Sequence, residues 1–497
     1  MASSDPQLHF ILVPFMAQGH MIPMVDIAKL LASQGAIATI AITQHNALRH
    51  KAIIDRAMAS GLPVRLLQLR FPSQEVGLPE GCESVDTLPS PDYSPGFFAG
   101  NELLGGQLEE SLAEIEPKPD CLISDAFIPW TVGVASKFQI PRVIFHGTCC
   151  FSLLCIDMIR LSGLHESADS SDEPVLIPNM PRPIQITKDK FPATLKKSNP
   201  AIDAFIKKVR EGEESAYGVL INSFEELEPE YVERFREARR GKAWCIGSVS
   251  LCHKDEMDLA ERGNKASIEK NQCLKWLDSR EPNSVLYVCL GSLTRLIAAQ
   301  LIELGTALEA SEHPFIWVIR EGESKQTLEF ENWLSREGFE ERNKDRGLLI
   351  KGWAPQMLIL SHQAIGGFLT HCGWNSTFEA LGAGVPMITW PLFGEQFFNE
   401  KVIVDILKVG YRVGVDVYVE WGQEERFGVV VKREEIERGV RKLMDKSEEN
   451  EEMRMRAKEF GEMGRRAMES GGSSHLNLSH FIQDIVNQVR EKAALIQ

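Results

Sequence analysis

Short apolar runs alternate with longer segments of helical spacing from the start of the chain. LHFILVPF (8–15) is typical of a buried strand, and GHMIPMVDIAKLLASQG (19–35) has apolar residues at helical intervals. Gly35 closes this segment as a helix stop signal, and IATIAIT (37–43) is a second strand. The pattern therefore predicts a strand–helix–strand unit, which almost always forms a right-handed parallel pair.

The same alternation recurs in both halves of the chain. Further units are predicted at CLISD, WTVGVASKF and RVIFH, then at SVLYVCLGS, AAQLIELGTALEAS and FIWVIR, followed by the short strands LLIKGW, AIGGFLT and PMITW. Two such sets predict an α/β protein with two doubly wound, Rossmann-like domains. The expected ranges are a first domain over 1–249, a charged exposed linker over 250–272, a second domain over 273–465 and a C-terminal helix over 466–497 that packs back on the first domain. Residues 165–200, rich in Pro, Ser and Asp, predict a long surface excursion.

Composition excludes several classes of function. The net charge of −16 over 497 residues argues against a nucleic-acid partner, because such binding depends on basic surfaces. No basic segment opens the chain, and its first apolar run, FILVPFMA, is too short to span a membrane. Ten cysteines without a C-x-x-C pair indicate reduced thiols and a cytoplasmic protein.

Four polar side chains are concentrated in HCGWNSTFE (371–379), directly after the predicted strand AIGGFLT: His371, Asn375, Ser376 and Glu379. A strand-to-helix turn at this sheet edge presents unpaired N–H groups and the positive end of a helix dipole, which suit a phosphate. Ser376 three residues before Glu379 also matches a helix capping box. These nine residues alone leave both interpretations open, whereas one His and one Cys are too few ligands to predict a metal site.

The stretch from Trp353 to Gln396 resembles the signature box of the plant UDP-dependent glycosyltransferases of small molecules (family 1). The match includes WAPQ, H-x-x-x-GGFLTHCGWNS, Glu379, GVPMITWP and the final EQ, and the similarity extends to FMAQGHMIPM near the start. Phe378 is a departure, since Leu is usual there. The chain looks most like the branch that acts on terpenoids, steroids and flavonoids. The resemblance implies two facing Rossmann-like domains with an inter-domain cleft (the GT-B fold), with the acceptor on the first domain and the donor on the second.

The resemblance also implies roles for the donor residues. Trp353 would stack on uracil, Ala354 would bond its edge through the main chain, and Gln356 and Glu379 would hold the ribose. His371, Asn375, Ser376 and Ser292 would bind the diphosphate, and Trp374, Glu395 and Gln396 would contact the sugar. Gln396 and Trp374 are typical of glucose users, so UDP-glucose is the expected donor, with UDP-glucuronate and UDP-galactose as alternatives.

An acid–base pair is predicted at the first sheet. His20 follows the first strand and Asp125 ends CLISD, so both should lie at the carboxyl edge of one parallel sheet. In the resembled family these positions are the general base and its partner. Imidazole can take the proton of an attacking hydroxyl, and a carboxylate fixes its tautomer. A single displacement would invert the anomeric centre and give a β-glycoside. No metal or other cofactor is expected, since no Asp-x-Asp motif lies near the box.

The acceptor pocket is expected to be apolar. The candidate lining residues are Phe15, Met16, Phe97, Phe98, Phe127 and Phe151. A dinucleotide oxidoreductase would carry G-x-G-x-x-G after the first strand, where this chain has PFMAQGHM. A silent UDP-sugar-binding protein is disfavoured because His20 and Asp125 are both retained, whereas an epimerase or hydrolase acting without an acceptor stays open. The sequence indicates neither the acceptor nor an oligomeric state.

Overall fold

The computed structural model describes residues 7–166, 173–196, 200–253, 255–322 and 324–496; Lys254 of the predicted linker lies outside them. Their strands are β1 (His9–Val13), β2 (Ile37–Thr43), β3 (Val64–Leu69), β4 (Cys121–Asp125), β5 (Arg142–His146), β6 (Pro174–Ile177), β7 (Ile184–Thr187), β8 (Gly218–Ile221), β9 (Ala243–Cys245), β10 (Val285–Cys289), β11 (Phe315–Ile319), β12 (Gly347–Lys351), β13 (Ile365–Thr370), β14 (Met387–Thr389) and β15 (Gly410–Arg412).

Helices connect most of these strands. They are α1 (Gln18–Ser33), α2 (Gln44–Ala59), α3 (Ser94–Glu114), α4 (Thr131–Phe138), α5 (Cys150–Leu161), α6 (Pro200–Glu214), α7 (Pro229–Ala238), α8 (Glu256–Ala260), α9 (Lys270–Asp278), α10 (Ala298–Ser311), α11 (Lys325–Arg336), α12 (Phe339–Asn343), α13 (Gln356–Leu360), α14 (Trp374–Ala383), α15 (Gln396–Lys401), α16 (Glu424–Phe427), α17 (Arg433–Met444), α18 (Glu448–Met468) and α19 (Ser473–Ile496). Short 3₁₀ turns cover Val85–Thr87, Pro91–Tyr93, Leu164–Glu166, Lys188–Lys190, Ala193–Leu195 and Val249–Cys252, and a π-helical turn covers Val402–Ile406.

The chain forms two compact units. The first comprises the described parts of Met1–Cys150, Lys197–Lys254 and Gly464–Gln497, and the second those of Phe151–Lys196 and Asp255–Met463. The described residues 151–166 and 173–196 therefore group with the second unit, although the sequence-based range assigned them to the first domain. The break before Asp255 falls inside the charged segment that predicts a linker.

The first unit is built on a seven-stranded parallel sheet with the order β3-β2-β1-β4-β5-β8-β9. Strands β1 and β4 are neighbours, and each is buried at all five positions because helices cover both faces of such a sheet. From β1 the strand order runs outwards to β2 and β3, and from β4 it runs the opposite way to β5, β8 and β9. Ligands bind at such a switch point, beyond the carboxyl ends of the strands.

The second unit repeats this plan with six parallel strands in the order β12-β11-β10-β13-β14-β15. Its switch point lies between β10 and β13. A separate antiparallel hairpin, β6–β7, occupies part of the predicted surface excursion. Two α/β units with parallel sheets confirm the predicted fold class.

Two further features concern membrane spans and thiols. Within the described ranges, no helix combines the length and apolar character needed to cross a bilayer. All ten cysteines are free thiols, and eight of them are buried.

Candidate active site

His20 and Asp125 meet at the switch point of the first sheet. Parallel pairing sets Val13 of β1 opposite Ser124 of β4, so the residues that follow the two strand ends are neighbours. Asp125 is the last residue of β4. His20 is the third residue of α1, which begins at Gln18. The sequence-predicted pair is therefore brought together by strand register.

The two side chains are in hydrogen-bond contact. His20 Nδ1 lies 2.7 Å from Asp125 Oδ2, with the carboxylate side chain 2% exposed and the imidazole 31% exposed. The main-chain N–H of Phe127 donates to Asp125 Oδ1 at 2.9 Å, which fixes the carboxylate from its other side. A proton on Nδ1, donated to the carboxylate, leaves Nε2 unprotonated, which is the tautomer that a general base requires.

Aromatic rings surround this histidine. The ring centres of Phe15 and Phe127 lie 5.3 and 6.0 Å from that of His20, and Phe97 and Phe98 lie 5.8 and 6.1 Å from Phe15. Phe98 and Phe127 are half-buried, whereas Phe97 is fully buried and belongs to the core. The half-buried rings are an apolar surface next to the candidate base.

Other predicted pocket residues have different surroundings, and one neighbour was missed. Met16 and Phe151 are buried, and Phe151 belongs to the second unit, so their acceptor contacts stay predictions. Phe205 was not predicted, yet its ring centre lies 4.8 Å from that of Phe98. Its position in the amphipathic helix α6 gave no signal that it would extend an aromatic cluster.

The predicted donor residues gather at the switch point of the second sheet. Pairing of Cys289 in β10 with Thr370 in β13 aligns the turn that carries Ser292 with the turn that carries His371. Gly291 has φ +81°, and a Cβ added there would lie 2.6 Å from the His371 ring. The LGS and HCG turns thus pack so closely that only glycine fits between them.

Helix α14 begins at Trp374 with Gly373 as its N-cap. Asn375 and Ser376 are its second and third residues, where main-chain N–H groups have no partner inside the helix. Ser376 is inside the helix rather than at its cap, so the capping-box interpretation with Glu379 is wrong. Cys372, with φ +64°, supplies the left-handed turn that leads into the helix.

His371 is held in its neutral form. Burial lowers its pKa from 6.5 to about 4, and Nδ1 has no hydrogen-bond partner among the described residues. A neutral imidazole can donate one hydrogen bond to a phosphate oxygen without carrying a charge into the site. This state agrees with the predicted diphosphate role, which itself stays a prediction.

Gln356, Ser376 and Glu379 form one polar cluster. Gln356 Nε2 donates to Glu379 Oε2 at 2.7 Å and to Ser376 Oγ at 3.1 Å. Tyr287, buried in β10, donates to Gln356 Oε1 at 3.4 Å. The sequence predicted these three residues for ribose and diphosphate, and the fold brings their polar atoms within contact.

Arg262 completes this cluster, although no sequence pattern indicated it. Its guanidinium donates to Glu379 Oε1, and the two side chains are only 8% and 6% exposed. Its carbonyl accepts from the indole N–H of Trp353 at 3.3 Å. Because Arg262 falls in the charged segment predicted as an exposed linker, its pattern indicated a solvated side chain.

The segment that carries Arg262 also contacts Trp353, the residue predicted to stack on uracil. Ser267 Oγ accepts from the Trp353 main-chain N–H at 3.0 Å, and the Ser267 N–H donates to the Trp353 carbonyl at 2.7 Å. Ala354, next along the chain, is buried and its carbonyl accepts from the Gln356 N–H. The half-buried indole is thereby fixed in orientation by main-chain contacts.

Two of the predicted sugar-contacting residues, Gln396 and Trp374, already make hydrogen bonds or packing contacts within the protein. Gln396 Oε1 accepts from the N–H groups of Leu392 and Phe393 at 2.8 and 3.1 Å, so its amide is left as a donor rather than as a donor and an acceptor. Trp374 is 2% exposed and stacks on Phe378 at 5.2 Å, so its main-chain N–H at the helix start is better placed for a ligand than its ring. Phe378 is accordingly a packing residue.

Asn399, which was not predicted, links the HCG turn to Glu395. Its amide donates to the Cys372 carbonyl at 2.8 Å and to Glu395 Oε1 at 3.2 Å, while its Oδ1 accepts from Ser152 Oγ at 2.8 Å. The side chain is fully buried. Asn399 therefore fixes the orientation of Glu395 relative to the HCG turn.

A buried cluster of possible metal ligands lies in the first unit. Asp26, Cys252 and His253 have ligand atoms within 4.8 Å of one another. His253 Nε2 bonds Asp26 Oδ1 at 2.6 Å, and Lys29 Nζ lies 3.0 Å from His253 Nδ1. Both imidazole nitrogens are thus engaged, and the adjacent ammonium opposes a cation, so the cluster is an ion-pair network.

Comparison with known proteins places these features in a family. The model of the family "UDP-glucoronosyl and UDP-glucosyl transferase" matches residues 264–417. The chain is 51% identical over 485 residues to UDP-glycosyltransferase 73C25 of Barbarea vulgaris, covering 97% of each protein. The chain belongs to the plant family 1 UDP-glycosyltransferases. It is therefore an enzyme that transfers a sugar from a UDP-sugar.

Solved structures agree with this assignment and with the fold. Glycyrrhiza uralensis UGT73P12, complexed with glycyrrhetinic acid 3-O-monoglucuronide, superposes with a TM-score of 0.90 at 34% identity, covering 99% of this chain and 98% of that one. Arabidopsis thaliana UGT89C1, complexed with quercetin, gives 0.72 at 28% identity, covering 97% and 100%. The fold is thus that of the GT-B plant glycosyltransferases, which confirms the resemblance noted from the sequence.

Proposed function

We propose that this glycosyltransferase moves glucose from UDP-glucose to a hydroxyl of an apolar triterpenoid, steroid or flavonoid, with inversion, to give a β-glycoside. The observation that carries the proposal is the His20–Asp125 contact of 2.7 Å beside half-buried aromatic rings. These rings suit a flat or polycyclic apolar acceptor. The triterpenoid glycoside bound by UGT73P12 and the quercetin bound by UGT89C1 support this acceptor class.

His20 would accept the proton of the attacking hydroxyl at Nε2, and Asp125 would stabilise the imidazolium that results. UDP would leave with its charge held by the main-chain N–H groups at the start of α14, by Ser292 and by the neutral His371. No metal or other cofactor is part of this proposal, and we place the enzyme in the cytoplasm, in keeping with its free thiols.

Glucose is proposed as the sugar because Gln396 and Glu395 offer complementary groups. The Gln396 amide is left as a donor, and the Glu395 carboxylate is an acceptor. A sugar with one inverted hydroxyl would leave one of these groups unpaired, at a cost of about 1–3 kcal/mol, or roughly 5- to 150-fold in rate.

Glucuronosyl transfer to the same acceptors is the second candidate. It is favoured by the glucuronide bound to UGT73P12. Lys190 is a basic side chain of the second unit that such a carboxylate would use. Its ammonium lies 5.7 Å from the ring centre of Phe397, the residue after Gln396.

A panel of donors and acceptors tests the proposal. UDP-glucose, UDP-galactose and UDP-glucuronate would be compared at equal concentration with triterpenoid, steroid and flavonoid acceptors, and the anomeric configuration of each product determined by NMR. The expected result is a β-glucoside formed faster than the other two glycosides. A faster rate with UDP-glucuronate selects the second candidate, and an α-linked product contradicts the inverting mechanism.

A further inference from the structure

Arg262 bonds the carboxylate of Glu379, the residue that the family resemblance predicts as a ribose contact. Glu379 has one oxygen bonded to Arg262 and the other bonded to Gln356, and only 6% of its side chain is exposed. A ribose diol needs these oxygens as acceptors for its two hydroxyl protons. In the present arrangement, solvent and ligand have almost no access to them.

Gln356 is not the group that leaves Glu379 when the ribose binds, because it is itself a predicted ribose contact and donates a hydrogen bond to Ser376. Arg262 differs in this respect, since it is carried by a segment outside the sheet and outside the signature box. Its guanidinium is the covering group on the Oε1 side of Glu379.

The segment that carries Arg262 is attached along the base-binding turn. The Arg262 carbonyl and Ser267 together make three hydrogen bonds to Trp353, and these use the tryptophan main chain and indole N–H rather than its ring face. The segment can therefore keep its attachment to Trp353 while the Arg262 side chain rotates away from Glu379.

We propose that Arg262 is a placeholder in the donor site: its guanidinium neutralises Glu379 in the empty enzyme and is displaced by the ribose of the incoming UDP-sugar. This inference rests on the proposed ribose role of Glu379. A buried carboxylate without a partner is costly, so Glu379 needs hydrogen-bond donors in the empty site, and the ribose hydroxyls would then replace those of Arg262. The apparent affinity for the nucleotide is the intrinsic affinity multiplied by the fraction of molecules in which Arg262 has left Glu379.

Arg262→Met tests the placeholder, since it keeps the apolar stem and removes every donor. If Arg262 covers Glu379 in at least nine of ten molecules, the variant should bind UDP at least about 10-fold more tightly by calorimetry. Lys265→Met is the matched control, because it removes an exposed positive charge from the same segment; its UDP affinity should stay within about 2-fold of the wild type.

A second experiment repeats Arg262→Met in a Glu379→Gln background, because the neutral amide of glutamine does not hold the guanidinium. In that background Arg262→Met should change UDP affinity by less than about 2-fold. Melting curves of all variants without ligand show whether each one folds. If Arg262→Met does not fold, Arg262→Lys replaces it as a variant that retains the charge.

Three outcomes overturn the proposal. Weaker UDP binding by Arg262→Met would show that Arg262 is a ligand of the nucleotide, and unchanged binding would show that the ion pair persists beside the ribose. An equal gain in the Glu379→Gln background would show that the effect does not pass through Glu379. Failure of the proposed ribose site is distinguishable, because Glu379→Gln alone would then leave UDP affinity unchanged.

Discussion

Replacement of Asp125 by Asn tests the acid–base pair most directly, because it preserves the shape of the side chain and removes its charge. In the wild type, Asp125 Oδ2 faces His20 Nδ1 at 2.7 Å, and Oδ1 accepts from the Phe127 N–H at 2.9 Å. An asparagine that keeps the Phe127 bond must turn its NH₂ group towards His20. The imidazole then accepts at Nδ1 and carries its proton on Nε2, where it cannot act as a base.

The alternative orientation of the asparagine is also unfavourable. With its oxygen towards His20, its NH₂ group would face the Phe127 N–H, and a buried donor would be left unpaired at a cost of about 1–3 kcal/mol. That orientation is therefore a minority of about 1 in 5 to 1 in 150 molecules. Because only this minority keeps the productive tautomer, we expect the rate of glycosyl transfer to fall by at least about 5- to 150-fold. Loss of the carboxylate charge, which stabilises the imidazolium, extends the expected fall to as much as about 10⁴-fold.

The assay is the initial rate of UDP release with saturating donor and the best acceptor of the panel, alongside calorimetric UDP binding. His20→Ala should lose at least as much activity, whereas Asp125→Ala should lose less than Asp125→Asn, because it does not impose the wrong tautomer. UDP affinity should stay near the wild-type value in all three, since the predicted donor residues belong to the second unit. Asp125→Asn turnover within about 3-fold of the wild type would refute the reasoning.

Three further predictions concern the second unit. Because the folded-state pKa of His371 is about 4, below 6.5, protonation favours the unfolded state, and stability should fall by up to about 3 kcal/mol as pH drops from 6.5 to 4; His371→Asn should show a shallower decline of Tm over that window, and a parallel decline would contradict this. Gly291→Ala should weaken UDP binding by about 10-fold or more, since its Cβ would lie 2.6 Å from the His371 ring at φ +81°; unchanged affinity by calorimetry would count against it. Asn399→Asp removes the donor to the Cys372 carbonyl and sets a negative charge beside Glu395, so kcat should fall by about 10-fold or more with a folded protein by melting curve; wild-type kcat would exclude the positioning role.

The strands at both switch points could be predicted from the sequence because their signals are local. IATIAIT, CLISD and RVIFH are strands with the predicted bounds, and AAQLIELGTALEAS is the predicted helix. Buried parallel strands are continuous apolar runs, and the helices between them have a distinct period. The hairpin β6–β7 was missed because its strands have mostly exposed or half-buried residues and lie in a segment rich in Pro and Ser.

The start of α14 shows where local patterns compete. Ser376 and Glu379 match a capping box by spacing, but the helix begins at Trp374, two residues before the serine. The left-handed turn at Cys372 and the close approach of Gly291 to His371 fix that start, and both depend on the neighbouring strand β10. A cap assigned from spacing alone cannot include such a contact, because the two turns are about eighty residues apart in sequence.

The partners of the site carboxylates could not be predicted either, because they too are contacts between residues far apart in the sequence. Glu379 and Glu395 were identified from the box, yet Arg262 and Asn399, which hold them, have no motif of their own. A charged residue in a charged segment predicts a solvated side chain, and burial reverses that prediction only once a carboxylate without a counter-ion lies opposite it. A buried carboxylate in a predicted donor site therefore implies a basic or amide partner somewhere in the chain, even where no pattern identifies which residue supplies it.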